Sequence, residues 1–251
     1  DLKQLSTAQL GYLNQNVFSG MGTAQVANMG TAQIAALGGL QVKQLSTANI
    51  QALTSDQVKA LSVAAIQSLS SAQVAALDTV DVAQLSTGQI RSLSNAGLSG
   101  LTTSQVNNMG TQQVAAFSAE QLKVLSSNQL VALSTAQAAV LTTAQMTGLA
   151  PTQIAAMQTE DVAALTTRAI GAMSAAQVQG LTTAQVAGLS TTQAAGLGAT
   201  QVGALTSAQL KAMETGDLAK LTTSALQALS NTALSGLSTT QVANMGTAQV
   251  A

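Results

Sequence analysis

The sequence contains no cysteine, no histidine and no tryptophan among its 251 residues. These absences exclude disulfides, thiolate metal sites and the imidazole groups on which much acid–base and zinc chemistry depends. Three aromatic residues (Tyr12, Phe18 and Phe117) and one proline, Pro151, complete the list of scarce types. No apolar run approaches the ~20 residues that a helix needs to cross a bilayer. The composition therefore points away from metalloenzymes and from membrane spans.

Charge is also scarce, since charged residues make up 7% of the chain and the formal net charge is −1. Ordinary globular domains have about 25% charged residues. Without a basic surface we expect no nucleic-acid partner and no membrane insertion. Catalysis requires a nucleophile with a base, paired acids or a metal, and the adjacent Glu160 and Asp161 are interpreted as partners of a helix dipole. We expect no enzyme activity, no cofactor and no small-molecule substrate.

What the chain does contain is an eight-residue repeat, here called the octad. Its consensus is Leu-(Ser/Thr)-Thr-Ala-Gln-Val-Ala-(Ala/Gly), and Leu5 occupies position one of its octad. Position one is Leu, Met or Phe in all 31 occurrences, and position six is apolar in all 32. No insertion or deletion shifts this register. We therefore predict one continuous domain over residues 1–251, cut as a segment from a longer array.

A short helix that restarts in every octad fits this pattern. A continuous helix would advance about 80° beyond two turns per octad, so its apolar stripe would wind around the axis. A straight strand would point positions one and six to opposite faces. Position two is an N-cap residue type in 28 of 31 octads, and position five is Gln in 21 of 32. This is the spacing of a capping box, as in Ser6 with Gln9 and in Thr182 with Gln185. Pro151 stands at the first position of a predicted helix, which is the helical position that tolerates proline.

The charges support the same register. All nine acids lie at positions two, four or five, and seven of the eight bases lie at positions seven or eight, as a helix dipole favours. Glycine is frequent at positions two and eight, where a helix must end and the chain must turn. Positions one and six then flank the helix start as a hydrophobic staple and form the core, represented by Leu5, Leu10, Leu53, Val58, Leu181, Val186, Leu205 and Leu210.

A helix of about six residues is too short to be stable alone, and it gains stability when repeats stack on one another. The predicted fold class is therefore all-α, a solenoid of about 31 octads with one capped helix each. A β-solenoid is the alternative, because Thr, Val and Ile also favour strands and a corner within the octad would turn both apolar positions inward.

A longer period is marked by aspartate at position five. Asp1, Asp81, Asp161 and Asp217 follow one another at spacings of 80, 80 and 56 residues. Two explanations remain open. Duplication of blocks of DNA would produce such marks, and so would a superhelical repeat in which each marked octad meets the same neighbour.

Two resemblances can be identified. The stretch 181–189, LTTAQVAGL, is similar to the helix opening of TAL-effector DNA-binding repeats, but it covers a single octad and lacks a base-reading pair. The whole chain, in units of the LSTAQVAAL type, resembles the octapeptide arrays of very large secreted bacterial surface proteins that are often described as adhesins. That resemblance implies an extracellular stalk, fibre or matrix protein at the cell surface.

These observations lead to two expectations about function. The first is a structural filament, sheath or matrix protein whose partner is itself, because a low-charge lattice of Ala, Gly, Ser, Thr and Gln can pack against an identical lattice and form open fibres. The alternative is an adhesin stalk or a surface-binding module that presents regular threonine rows to glycan, mineral or ice.

Overall fold

The computed structural model describes residues 2–246 and 249. The chain divides into two compact segments, Asp1–Leu125 and Ser126–Ala251, and each is described by itself. Every regular element among the described residues is helical and none is a strand. The prediction of an all-α solenoid is confirmed, and the β-solenoid alternative is wrong. Asp1, the first of the aspartate markers, lies outside the described residues.

The helices follow the octads one for one and are four to six residues long. The first segment contains a short 3₁₀ turn, Leu2–Gln4, followed by α1 Thr7–Tyr12, α2 Asn16–Ser19, α3 Thr23–Ala27, α4 Thr31–Ala35, α5 Gly39–Lys43, α6 Thr47–Gln51, α7 Ser55–Ala60, α8 Val63–Ser68, α9 Ser71–Ala76, α10 Thr79–Gln84, α11 Thr87–Ser92, α12 Asn95–Ser99, α13 Thr103–Asn108, α14 Thr111–Ala116 and α15 Ala119–Val124. The second segment contains α16 Ser127–Val131, α17 Thr135–Ala138, α18 Thr143–Gly148, α19 Pro151–Ala156, α20 Thr159–Ala164, α21 Thr167–Gly171, α22 Ala175–Gly180, α23 Thr183–Ala187, α24 Thr191–Ala195, α25 Ala199–Gly203, α26 Ser207–Ala212, α27 Thr215–Leu218, α28 Thr223–Leu226, α29 Asn231–Leu234 and α30 Thr239–Ala243.

Every α-helix given above except α2 follows a residue in extended conformation; α2 follows Gln15, which has φ −51° and ψ −32°. Thr182 has φ −71° and ψ 158°, and its hydroxyl accepts a hydrogen bond from the backbone N–H of Gln185. The Gln185 side chain accepts from the Thr182 N–H in return, which completes the capping box. Ser6 and Gln9 form the same reciprocal pair. Pro151 is the first residue of its helix, where no intrahelical donor is needed.

Helix ends depart from the expectation that glycine would turn the chain. No described residue, glycine included, has a positive φ. The chain turns instead through an extended position one, as at Leu181 with φ −61° and ψ 137°. Glycine at position eight instead allows the helix of one turn to lie close to the helix of the preceding turn. A Cβ on Gly188 would lie 2.7 Å from the Thr159 side chain, 29 residues earlier.

Stacking within each segment joins helices three octads apart. In the first segment α5 packs on α8 and α8 on α11, and in the second segment α19 packs on α22 and α22 on α25. Hydrogen bonds from glutamine side chains to backbone carbonyls also link residues 28 and 31 positions apart, for example Gln57 with Met29 and with Val26. One turn of the solenoid therefore contains between three and four octads.

Positions one and six form a continuous core in each segment. The predicted core residues that the structure buries, with at most 5% exposure, are Leu10, Leu53, Val58, Leu181, Val186, Leu205 and Leu210. Phe18 and Phe117 also lie in this core. Leu5, also predicted to be a core residue, is partly buried.

Candidate functional site: the glutamine ladder

Buried side chains at position five form the most regular polar feature of the molecule, here called the glutamine ladder. Each of these amides is inside the solenoid and at most 8% exposed. Long polar side chains are buried only when their hydrogen bonds are satisfied. The members are Gln33, Gln41, Gln57, Gln73, Gln89, Gln105, Gln113 and Gln121 in the first segment and Gln129, Gln137, Gln145, Gln153, Gln177, Gln185, Gln193, Gln209 and Gln241 in the second.

Ladder glutamines whose turn-to-turn bonds lie within one segment bond in two directions, and Gln185 shows both. Its Oε1 accepts a hydrogen bond from the N–H of Thr182 at 2.9 Å, within its own octad. Its Nε2 donates to the carbonyl oxygens of Met157 at 2.7 Å and Ile154 at 2.9 Å, in the preceding turn. One amide therefore caps its own helix and ties that helix to the turn before it.

The same offsets recur throughout both segments. In the first segment Gln73 donates to Leu45 and Val42, 28 and 31 residues earlier. In the second segment Gln241 donates to Met213, again 28 residues earlier. A neutral hydrogen bond contributes about 0.5–1.5 kcal/mol net, and a buried group left unpaired costs about 1–3 kcal/mol. The ladder therefore fixes the register of one turn on the next.

The capping half of this arrangement was predicted from the sequence, but the link between turns was missed. A signal for the link was present in the sequence. A capping box accepts Glu or Gln at its last position, yet no glutamate occurs at position five. Since a carboxylate has no hydrogen to donate, the preference for Gln over Glu indicates that position five uses a donor as well as an acceptor in most octads.

The aspartate markers occupy the same interior position. Asp81, Asp161 and Asp217 are 5%, 2% and 3% exposed. The interpretation of Asp161 as a partner of the helix dipole is therefore incomplete, because its carboxylate is buried. Each of the three accepts a hydrogen bond from a hydroxyl 26 residues earlier, from Ser55, Thr135 and Thr191 respectively.

Burial changes the acidity of two of these carboxyls. Loss of water around Asp161 raises its pKa, with a smaller contribution from the negative charge of Glu160, against a lowering by the Thr135 hydroxyl. Burial likewise raises the pKa of Asp217, with Glu214 adding to the effect. In both side chains Oδ2 is buried and has no hydrogen-bond partner. These are the two unsatisfied buried side-chain atoms of the described structure.

The three aspartate octads also differ at their caps. Their cap residues are Asp78, Gln158 and Glu214 rather than Ser or Thr, and none of them makes a side-chain capping bond. Gln158 instead donates from Nε2 to the carbonyl of Val131 in the preceding turn at 3.0 Å. Two explanations were given for the recurring aspartates at position five. A superhelical repeat in which each marked octad meets the same neighbour agrees with the hydroxyl partner found 26 residues before each aspartate. Duplication of blocks of DNA remains an equally open explanation.

The outer surface offers little reactive chemistry. One open groove of about 550 Å³ in the first segment contains Arg91, Phe117 and Glu120, and the Arg91 guanidinium donates from Nε to the Ala116 carbonyl at 3.3 Å. Among the described residues no group of three or more Asp or Glu side chains is placed to hold a metal ion. No helix in that part of the chain is long and apolar enough to span a membrane.

Comparison with known proteins identifies a repeat family. A family model described as the ALTTAQ repeat matches residues 26–63, 50–87, 82–119, 114–151, 154–191 and 210–247. Together these overlapping matches extend over most of the chain. No curated protein matches it.

Proposed function

We propose, from the premise that the chain belongs to the ALTTAQ repeat family, that it is a non-catalytic structural array that associates with copies of itself. The observation that carries this proposal is how the polar side chains are used. The ladder glutamines are buried and bonded within the solenoid, and cap hydroxyls such as those of Ser70 and Thr182 bond to their own helix starts. The polar groups thus build and lock the array, which is the pattern of a scaffold.

The outer surface favours self-association. It carries very little charge, and low charge promotes contact between identical molecules. Large aliphatic side chains also stand out from it, including Leu40, Val63 and Val80 with exposures of 69%, 55% and 67%. Leu40 and Val63 belong to helices α5 and α8, which pack against each other. Burying such groups against a second copy would stabilise the contact by roughly 25 cal/mol per Å² of apolar surface.

The proposed location is the cell exterior, in a filament, sheath or matrix. Support comes from the resemblance to octapeptide arrays of secreted bacterial surface proteins and from the low charge. Heterologous contacts between copies generate open fibres where the rotation between copies does not close into a ring.

A second candidate is a stalk or surface-binding module, favoured by the exposure of threonine at position three. Thr31, Thr47 and Thr103 in the first segment and Thr183 in the second are exposed at the first residue of their helices. Their regular recurrence would present hydroxyl and methyl groups to glycan, mineral or ice. Replacing such threonines with valine should abolish surface binding if this candidate is right and should leave fibre assembly unaffected.

Assembly can be tested by sedimentation velocity and electron microscopy over a concentration series. The proposal expects the chain to form large species and continuous fibres as concentration rises. A variant with Leu40→Lys, Val63→Lys and Val80→Lys should stay helical by circular dichroism and should assemble at higher concentration or not at all. Threonine-to-valine variants at positions 31, 47 and 103 are the matched control and should assemble as the parent does. A parent chain that stays monomeric as separate rods would refute self-association and favour the stalk.

A further inference from the structure

Asp161 and Asp217 occupy position five, where most octads place a hydrogen-bond donor. Ladder glutamines at position five donate to carbonyl oxygens 28 and 31 residues earlier, as Gln193 does to Leu165 and Val162. An ionised aspartate at the same place can only accept. Both aspartates keep one oxygen, Oδ2, buried without a partner. The link between turns is therefore incomplete at these two octads.

One octad of the chain shows what an aspartate-sized donor does at this position. Asn49 has the size and shape of a protonated aspartate, stands at position five and is 2% exposed. Its Nδ2 donates to the carbonyl of Met21, 28 residues earlier, at 2.9 Å. Its Oδ1 accepts from the hydroxyl of Ser46 at 2.7 Å. A side chain one methylene shorter than glutamine therefore reaches the preceding turn, provided that it carries a hydrogen.

We propose that Asp161 and Asp217 are proton-binding sites, and that the proton on Oδ2 completes the link to the preceding turn. In this register the acceptors are the carbonyl oxygens of Leu133 and Leu189, 28 residues earlier, and the hydroxyls of Thr135 and Thr191 stay bonded to the other oxygen. One O–H bond forms on each carboxyl and the proton comes from solvent. Acidification therefore strengthens the second segment, and neutral pH leaves the two links open.

The surroundings contain few groups that could produce the same response. Asp161 lies in α20, which packs on α17 and α23, and neither of these helices has an ionisable side chain. Asp217 lies in α27, which packs on α24 and α30, and these also have none. On their own octads the charged neighbours are Glu160 for Asp161, and Glu214 and Lys220 for Asp217. The two acids repel a second negative charge and so favour the proton.

The sign of the effect follows from linkage. Because burial raises the folded-state pKa of both carboxyls above the ordinary 3.8, the folded chain binds these protons more tightly than the unfolded chain does. The resulting stabilisation is fully present below the ordinary pKa and is lost as the pH rises through the folded-state pKa. Asp81 serves as an internal comparison, since its Oδ1 accepts from Ser55 at 2.5 Å and no orphaned oxygen remains on it.

The test combines two measurements on the full 251-residue chain. In ¹³C NMR titrations of the carboxyl carbons, Asp161 and Asp217 should protonate at higher pH in the folded chain than in the urea-unfolded chain. In urea unfolding, the unfolding equilibrium constant of the parent should fall about tenfold, relative to an Asp161→Asn, Asp217→Asn variant, as the pH falls from about 7 to about 4. The variant carries permanent donors and should match the acidic parent at neutral pH, whereas Asp56→Asn should titrate as the parent does.

Titration of Asp161 and Asp217 at the same pH in the folded and unfolded chains, or a parent whose stability follows the same pH curve as the asparagine variant, would overturn the proposal. If the variant fails to fold, the parent's carboxyl titration decides alone. The readouts do not depend on fibre formation, so they stand whether or not the array self-associates.

Discussion

Two neighbouring regions of the second segment differ in the side chain at position five. In the Gln-linked region, α22 to α26, position five is Gln in every octad, and the helices are five or six residues long. In the Gln-free region, α27 to α29, position five is Asp217, Ala225 and Ala233, and each helix is four residues long. Both regions keep apolar residues at positions one and six. In the Gln-free region Thr222 and Ser230 still cap α28 and α29, whereas Glu214 makes no side-chain cap for α27. The two regions therefore differ in the tie of each helix to the preceding turn. Helix length does not follow position five elsewhere, since α8 has six residues with Ala65 there and α17 has four with Gln137.

The largest expected effect contrasts core residues of the two regions. Leu210 at the end of the Gln-linked region is fully buried, whereas Leu234 in the Gln-free region is 39% exposed. Leu210→Ala should destabilise the chain by about 2–5 kcal/mol, through lost burial and the cavity that remains. Leu234→Ala should cost less than half as much in urea unfolding followed by circular dichroism. Equal losses would mean that the two regions are equally well packed.

The next effect separates the two functions of a ladder glutamine. Gln185→Ala removes the acceptor for Thr182 and the donor for Met157 and Ile154, and should cost about 2–3 kcal/mol because buried groups lose their partners. Gln185→Glu keeps the acceptor and the volume but loses the donor. We expect the Glu variant to be destabilised as well, and this loss should shrink when acid protonates the new carboxyl. A fully stable Gln185→Glu chain at neutral pH would contradict the link between turns.

Adding a glutamine to the Gln-free region should have the opposite sign. Ala225→Gln places an amide in register with the carbonyl of Leu197, 28 residues earlier, and should stabilise the chain by about 1–2 kcal/mol through new hydrogen bonds. Protection of the α28 amides from hydrogen exchange should rise with it. Ala225→Leu, which adds a similar volume without a donor, is the control and should not raise the protection.

The smallest effect should be the same in both regions. The hydroxyl of Thr182 accepts from the Gln185 N–H at 3.1 Å, and that of Thr222 accepts from the Ala225 N–H at 3.2 Å. Thr182→Ala and Thr222→Ala should therefore each cost about 1 kcal/mol, a typical value for the loss of an N-cap. A cap loss that is large in one region and undetectable in the other would show that the regions differ in more than the ladder.

The sequence was sufficient for the local structure, for physical reasons that particular residues illustrate. Capping chemistry operates within one octad, so Ser6 with Gln9 and Thr182 with Gln185 could be paired by spacing alone. Pro151 and the placement of acids and bases fixed the same register independently. The core followed from the fixed phase of positions one and six, apart from Leu5.

What could not be predicted depends on contacts between octads far apart in the chain. The number of octads in a turn is set by how closely helices approach, as at Gly188 against Thr159, and local patterns do not encode that distance. The second bond of each glutamine and the burial of Asp161 and Asp217 follow from the turn length. The bias for Gln over Glu at position five could have revealed the ladder, because it records a requirement for a donor.

The central claim, that position-five glutamines join each turn to the one before at an offset of 28 and 31 residues, can be tested most directly by NMR. The measurement is the nuclear Overhauser contacts of the Gln185 side-chain amide protons in a chain with selectively labelled glutamine. The account predicts contacts to Ile154 and Met157, and their loss in Gln185→Ala. Contacts confined to residues of its own octad, or to residues at another offset, would contradict it.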